Sequence, residues 1–257
     1  MSEKKVVAVI PARMGASRFP GKPLKKILGL PLVEHVRRRV LLSDSVDDAF
    51  VATCDIEIEK TIVDFGGKAI MTADTHERCT DRVEEALHQI ACDIVVIVQG
   101  DEPLFLPEVI KKLVSPMIDN DIIQCTNLLS IIDRDEDLLD EDIVKAVINT
   151  NNDIMYFSRS AIPFRRVKNN CSLFRQTGVS AFSKTFLETY SKLEPTPLEI
   201  AESVDFLRIL EHGLSIRGVV INDETKGVDR PNDVSIVEEI LNNNPIQKQL
   251  YEKILKR

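Results

Sequence analysis

The stretch Val6-Val-Ala-Val-Ile-Pro-Ala-Arg-Met-Gly-Ala-Ser-Arg-Phe-Pro-Gly-Lys-Pro23 decides the reading of the fold. Its first five residues, Val6–Ile10, form an apolar run of the kind found in strands buried on both faces. A loop rich in glycine, proline and cations follows, and then a helical pattern through Leu32–Leu42. Strand, loop and helix in that order open a βαβ unit. The alternation continues with a strand over Phe50–Thr53, a helix over Ile56–Phe65 ended by Gly66-Gly67, and a strand over Lys68–Met71. A helix over Thr80–Ile90, a β-branched strand over Ile94–Val98 and a helix over Glu108–Met117 complete it. Such a pattern predicts an α/β fold with parallel strands and right-handed crossovers.

Beyond residue 130 the pattern loosens. Strands are expected over Val144–Ile148, Ile154–Phe157, Gly178–Phe182 and Leu214–Ile221, and helices over Ser183–Ser191, Ala201–His212, Val234–Leu241 and Ile246–Leu255. There is no internal repeat, no low-complexity segment and no long linker. The expectation is one continuous domain, 1–257, in which residues of about 131–224 form an inserted lobe between the parts 1–130 and 225–257.

Composition narrows the function. A hydrophobic share of 44% in 257 residues supports a sizeable core. The longest apolar runs fall far short of the roughly 20 residues that cross a bilayer, and the run after Lys5 is too short for a signal-peptide core. The five cysteines are scattered, odd in number and without a C-x-x-C pair, which favours thiols in a reducing compartment and a cytoplasmic location. A formal charge of −8 argues against a protein that holds nucleic acid by its overall field. Positive charge gathers in one place: Arg13, Arg18, Lys22, Lys25 and Lys26, with no acidic residue among them.

Three loops carry candidate chemistry. Ligands of open α/β sheets collect beyond the carboxyl ends of strands, and the basic loop Pro11–Pro23 stands there. Gly15 and Gly21 permit close backbone approach to a phosphate, and Arg13, Arg18 and Lys22 can neutralise a triphosphate. Pro23 stands where a Walker A loop carries Ser or Thr, and it disfavours helical backbone at Lys22. A solvated basic loop is the plainer alternative. The second loop, Gln99-Gly-Asp-Glu-Pro103, puts Asp101 just past a buried strand, where a carboxylate suits magnesium shared with phosphate. A simple turn is the other possibility. The third, Gly227-Val-Asp-Arg-Pro-Asn-Asp233, sets Asp229 ahead of a helix opened by Pro231, with Asn232 or Asp233 as the alternative cap. Asp101 and Asp229 together are able to clamp a reacting phosphate through magnesium. None of the four histidines (His35, His76, His88, His212) forms an H-E-x-x-H pair, no G-x-S-x-G elbow is present, and His35 and His88 fall within expected helices.

The segments Ile10-Pro-Ala-Arg13, Ser17-Arg-Phe-Pro-Gly-Lys-Pro-Leu24, Val51-Ala-Thr53, Phe65-Gly-Gly67 and Val98-Gln-Gly-Asp-Glu-Pro103 resemble the cytidylyltransferases that make CMP-3-deoxy-manno-octulosonate. So do Phe157-Ser-Arg-Ser-Ala-Ile-Pro-Phe-Arg165, Leu207-Arg-Ile-Leu-Glu-His-Gly213 and Gly227-Val-Asp-Arg-Pro231, in order along nearly the whole chain. The resemblance implies a GT-A-like nucleotidyltransferase fold with a Rossmann-like, mostly parallel sheet, helices on both faces and a sugar-binding and dimerisation lobe. It implies a homodimer that couples CTP to an acidic 2-keto sugar and releases pyrophosphate, with Mg2+ as cofactor and neither nucleic acid nor membrane as partner. Lys22, Asp101 and Asp229 carry over as catalytic, the two aspartates also as metal ligands. Ala12, Arg13, Gly15, Arg18, Lys22, Thr53, Thr80, Arg82 and Gln99 carry over to the nucleotide, and Arg159, Arg165, Gln176, Glu202, Phe206 and Arg208 to the sugar.

Departures cluster at specificity positions. The family's His-x-Ser-Gly-Thr-(Asp/Glu)-Arg segment reads His76-Glu-Arg-Cys-Thr-Asp-Arg82 here, so Arg78 and Cys79 replace a small pair. Its Lys-His-Ile-Gly reads Arg175-Gln-Thr-Gly178, and its Glu-Gln-Leu-Arg reads Asp205-Phe-Leu-Arg208. A modified keto-sugar near Phe206 is one expectation and drift at a non-contacting position the other. CMP-activation of another acidic or deoxy-amino sugar, or nucleotide binding without turnover, remain as alternatives.

Overall fold

The computed structural model describes residues 4–15, 18–167, 171–222 and 226–257. Ser17, quoted in the family segment, lies outside the described residues. The chain forms two compact units, Met1–Lys111 with Thr225–Arg257, and Lys112–Glu224.

In the first unit β1 (Val6–Pro11) is buried at every position. A small hairpin, β2 (Lys26–Ile27) and β3 (Leu30–Pro31), precedes α1 (Leu32–Val40). Then come β4 (Asp48–Thr53), α2 (Ile56–Asp64), β5 (Lys68–Met71), α3 (Cys79–Leu87), β6 (Ile94–Val98) and α4 (Val109–Asp119), the last leading into the second unit. The four long strands run parallel in the order β6-β1-β4-β5, with Val7 level with Asp48 on one side and Val95 on the other. From β1 the chain winds outward through β4 to β5, and then returns to place β6 on the opposite flank of β1. That reversal makes the carboxyl ends of β1 and β6 a topological switch point, the crevice where α/β sheets bind ligands.

The second unit holds β7 (Cys125–Ile131), α5 (Asp135–Leu139), β8 (Lys145–Ile148), β9 (Ile154–Ser158) and β10 (Phe174–Ser183). After them come α6 (Lys184–Tyr190), α7 (Pro197–Glu202), α8 (Leu207–Glu211) and β11 (Arg217–Ile221). Its strands run β11-β7-β10-β8-β9; β11 is parallel to β7 and the remaining pairs are antiparallel. The chain then returns to the first unit with α9 (Pro231–Asn243) and α10 (Pro245–Leu255). No helix among the described residues is long and apolar enough to cross a membrane.

The first-half elements stand where periodicity put them, within a few residues. Three expectations change in detail. The helix expected over Ala201–His212 is two short helices, because Ser203 takes a left-handed φ of 52° and stops α7. The strand expected at Gly178 begins at Phe174 and shifts register between Gln176 and Ser180. The cap of α9 falls at Arg230 with Pro231 in the first turn, while Asp233 reaches back to accept the backbone N–H groups of Asp229 and Arg230.

The returning helices fix the basic loop from behind. Val228, Val234, Val237 and Leu241 pack with Ile27, Leu32 and Leu104 in one apolar cluster. In the β2–β3 turn Leu28 adopts φ 48° beside Gly29 at 90°, the pair of positive angles a two-residue hairpin turn requires. Glu238 accepts the Leu28 N–H and Tyr251 donates to its carbonyl, holding a conformation that is unfavourable for leucine.

Candidate active site

Beyond the carboxyl ends of β1 and β6 lies a cavity of about 310 Å³. Its floor is the end of β1 (Pro11, Ala12, Arg13), and its walls are the basic loop (Arg18, Phe19, Lys22), the start of α3 with the turn before it (His76–Cys79, Arg82) and the loop after β6. The basic loop is pinned at several points. Ala12 donates to the Ala52 carbonyl at 3.0 Å, Met14 donates to the Asp55 carboxylate at 2.8 Å, and Gly21 donates to the Met14 carbonyl at 3.0 Å. Gly21 has φ 73°, which a side chain would oppose, and Lys22 opens a single 3-10 turn immediately after it despite Pro23's local bias.

Lys22 is the centre of the charge arrangement. Its Nζ lies 2.6 Å from Asp101 Oδ2 and 3.8 Å from Asp229 Oδ1, and Arg18 Nη2 lies 3.5 Å from the same Asp229 oxygen. The side chains of Lys22, Asp101 and Asp229 are 14%, 31% and 55% exposed, so the ammonium is recessed while both carboxylates keep faces toward solvent. Residues from three distant stretches therefore converge at one end of the cavity, cations and carboxylates alternating.

The remaining nucleotide candidates divide. Ala12, Arg13, Arg18, Lys22, Arg82 and Gln99 line the cavity, whereas Gly15, Thr53 and Thr80 are not among its lining residues. Thr53 is buried, and its hydroxyl accepts the Asp55 N–H at 3.1 Å. Thr80 is buried with its hydroxyl unpaired among the described residues. Arg82 donates to Thr72 Oγ1 at 2.5 Å and to the Ala73 carbonyl at 3.2 Å, while its Nη2 makes no bond among the described residues. Beside it His76 pairs with Glu85. Burial pushes the Glu85 carboxyl up, but the hydrogen bonds from His76 and the Ala73 N–H, with the charges of His76 and Arg82, hold it below the usual carboxylate range. The His76–Glu85 pair and the Asp55 anchor were not singled out in the sequence; Asp55 falls just after a strand, a position that would have flagged it.

The sugar candidates all lie in the second unit. Arg159 and Glu202 meet: the Arg159 N–H donates to Glu202 Oε2 at 2.9 Å, its Nε donates to the Glu202 carbonyl at 2.8 Å, and Ser158 Oγ donates to Glu202 Oε1 at 2.6 Å. Burial raises the Glu202 carboxyl, yet these bonds and the charges of Arg159 and Lys145 hold it below its ordinary value. Lys145, itself buried, donates to the carbonyls of Asp140, Ile143 and Arg159 beneath this pair. Arg165 pairs with Asp135 in an exposed contact. Gln176, on β10, is half-buried and donates its N–H to the Val144 carbonyl. Phe206 and Arg208 are interior residues, 6% and 5% exposed. The Phe206 ring packs edge-on against Phe182 and Phe157, and Arg208 forks onto Glu199 at 2.7 and 2.6 Å with its guanidinium over Tyr190.

The cations Arg13, Arg18 and Lys22 line this cavity and suit an anion such as phosphate, and the carboxylates of Asp101 and Asp229 are of the donor type that suits a hard divalent cation. Asp101 is partly and Asp229 more fully open to solvent, so a magnesium ion held by them would take phosphate oxygens and water as its other ligands. No group of three or more His, Cys, Asp or Glu side chains among the described residues forms a closed protein cage for a metal.

The family profile described as "Cytidylyltransferase" matches residues 7–216. A 3-deoxy-manno-octulosonate cytidylyltransferase from Geobacter metallireducens is 39% identical over 92% of this chain and 98% of its own. One from Escherichia coli is 40% identical over 88% of this chain and 92% of its own. A solved CMP:2-keto-3-deoxy-manno-octonic acid synthetase complexed with CTP is 38% identical and superimposes with a TM-score of 0.88 over 93% of this chain and 98% of that one.

Proposed function

Because the chain belongs to the 3-deoxy-manno-octulosonate cytidylyltransferase family, we propose that it couples CTP to 3-deoxy-manno-octulosonate, or to a modified form of that acidic keto-sugar, and releases pyrophosphate. The observation that carries this reading is the convergence of Lys22, Asp101 and Asp229 at the basic end of the cavity. Arg13, Arg18 and Lys22 bind the triphosphate; the cavity wall of Arg82 and Gln99 receives the nucleoside. Asp101 and Asp229 hold magnesium, which neutralises phosphate charge when bound. Transfer at phosphorus needs little covalent help from the protein, so orientation and charge neutralisation by these residues supply the catalysis. The anomeric hydroxyl of the sugar attacks the α-phosphorus, its oxygen forms the new P–O bond, and pyrophosphate leaves on the opposite side. Lys22 and Arg18 stabilise the charge that grows on the leaving oxygens.

Arg159 and Glu202, held by Ser158 and Lys145, are assigned to the sugar, with Arg165 and Gln176 as further contacts. Phe206 and Arg208 act on that site through packing. The second unit also exposes Leu139, Met155, Phe164 and Val167. The homodimer is carried by the family resemblance, and these side chains are candidates for its contact. A cytoplasmic location agrees with the nucleotide substrate and with five cysteines that form no disulfide.

The test is incubation of the purified chain with CTP, magnesium and 3-deoxy-manno-octulosonate, following pyrophosphate and the mass of the CMP-sugar. Product formation that EDTA stops and magnesium restores is expected. Absence of pyrophosphate with this sugar and with its deoxy and amino derivatives would overturn the reading.

A further inference from the structure

The loop after β6 and the first turn of α3 are joined across the cavity by one unusual contact. Gln99 Nε2 lies 2.9 Å from the sulfur of Cys79, and both residues line the cavity. Cys79 is the first residue of α3, a nine-residue helix, and Gln99 stands two residues before Asp101.

A carboxamide is nearly symmetrical in shape, so its partners decide which end it presents. Here the sulfur accepts from the amide nitrogen and fixes it against α3. The carbonyl oxygen of Gln99 accepts no hydrogen bond among the described residues, and Gln99 lines the cavity. Arg82, 3% exposed, lines the same wall with Nη2 unpaired among the described residues. Buried polar groups are ordinarily satisfied, so an unpaired guanidinium nitrogen beside this wall marks a place completed by a ligand. With the amide nitrogen held at Cys79, the end of Gln99 turned from α3 is its carbonyl oxygen, an acceptor.

We propose that Cys79 is a positioning residue that anchors Gln99 so that its carbonyl oxygen meets a donor group of the nucleoside. The chemistry is a hydrogen bond from N–H or O–H to a fixed amide oxygen. On a cytidine nucleotide that donor is either the exocyclic amino group of the base or a ribose hydroxyl. The inference rests on the nucleotide reading of the cavity given above.

The experiment compares Cys79→Ala and Cys79→Ser with the wild-type chain, measuring CTP binding by calorimetry and KM and kcat in the complete reaction. Loss of one hydrogen-bonded orientation is expected to weaken CTP binding and raise its KM by about tenfold in Cys79→Ala. The kcat stays within about twofold, since groups acting only on nucleotide binding leave the chemical step alone. Serine, whose oxygen accepts from the same amide, restores most of the affinity. UTP and 2′- and 3′-deoxy-CTP then identify the donor. If the base amino group is the partner, Cys79→Ala narrows the gap between CTP and UTP; if a ribose hydroxyl is, the gap to one deoxy-CTP narrows instead. CTP affinity in Cys79→Ala equal to wild type, or equal losses in both variants, would overturn the proposal. A wild-type chain that binds CTP without turnover defeats the proposed reaction and leaves the calorimetric comparison intact.

Discussion

The carbonyl of Asp101 accepts the backbone N–H of Val228 at 2.9 Å. This single main-chain bond ties the loop after β6 to the segment that returns from the second unit, and Asp229 is the next residue along. Val228 is itself wholly buried in the cluster with Ile27, Leu32 and Leu104. Asp229 is thus presented at the cavity by a backbone that packing and hydrogen bonding fix on both sides, even though its own side chain is half solvated.

Asp101 is partly and Asp229 half exposed, and neither side chain belongs to the apolar core. Asp101→Asn and Asp229→Asn should each lower turnover by roughly 10²–10³-fold, the scale of losing one electrostatic contact to the transition state. Thermal midpoints should stay within about 2 °C of wild type, as expected for substitutions outside packed cores. Steady-state rates with differential scanning calorimetry check both halves, and full activity in either variant would remove that aspartate from the mechanism.

Gly100 offers an independent probe of how closely the β1 and β6 loops approach. A methyl group there would stand 3.0 Å from the Pro11 carbonyl, which is backbone and has little room to move. Gly100→Ala should therefore reduce CTP affinity several-fold and cost about 1–2 kcal/mol, the lower range for overpacking. Calorimetric binding and urea unfolding measure the two effects, and wild-type affinity would show that the loops yield.

His35 makes stability depend on pH. Burial lowers its pKa to about 4, and the charges of Arg39 and Arg38 act in the same direction against the hydrogen bond to the Ile27 carbonyl. Nε2 lies 2.8 Å from that carbonyl and donates to it, while Nδ1 has no partner among the described residues. The folded chain thus keeps the ring neutral where the unfolded chain, with an ordinary pKa near 6.5, takes up a proton. Stability is complete above pH 6.5 and falls as pH drops from there through 4, by about 3 kcal/mol in all. His35→Gln, which keeps a donor for Ile27, should flatten this acid slope in urea melts; an unchanged slope would assign it to other groups.

Two arginines assigned to the sugar by resemblance should differ sharply in their effect on stability. Removing Glu199 leaves Arg208 charged in the interior, a loss of about 3–5 kcal/mol by the usual behaviour of broken buried pairs. Removing Asp135, the exposed partner of Arg165, should cost less than about 1 kcal/mol. Chemical denaturation of Glu199→Ala and Asp135→Ala makes the comparison, and equal effects would contradict the burial argument.

Periodicity disclosed the first half of the fold because strands such as Ile94–Val98 are apolar at every position and their helices alternate regularly with them. It passed over β7, Cys125-Thr-Asn-Leu-Leu-Ser-Ile131, whose polar residues look like loop. Their polarity is satisfied inside the fold, where Thr126 donates to the Leu113 carbonyl and Asn127 to that of Val179. Ser203 hides its helix break because serine has no strong preference for positive φ. The cavity was legible as three loops following strands, and Asp101 and Asp229 stood out as carboxylates in two of those loops. The coupling of Cys79 to Gln99 was not legible. The two lie twenty positions apart, and only the packing of α3 against the parallel sheet brings them together. The burial of Phe206 and Arg208 was equally hidden, since a motif match carries no record of which side of a helix faces the core.

The most direct test of the paired-carboxylate account is manganese binding followed by electron paramagnetic resonance, with CTP present. The wild-type chain should remove one equivalent of manganese from the free-ion signal. Asp101→Asn and Asp229→Asn should each weaken that uptake by more than the roughly tenfold that follows loss of a supporting partner. Uptake unchanged in both variants would contradict the account.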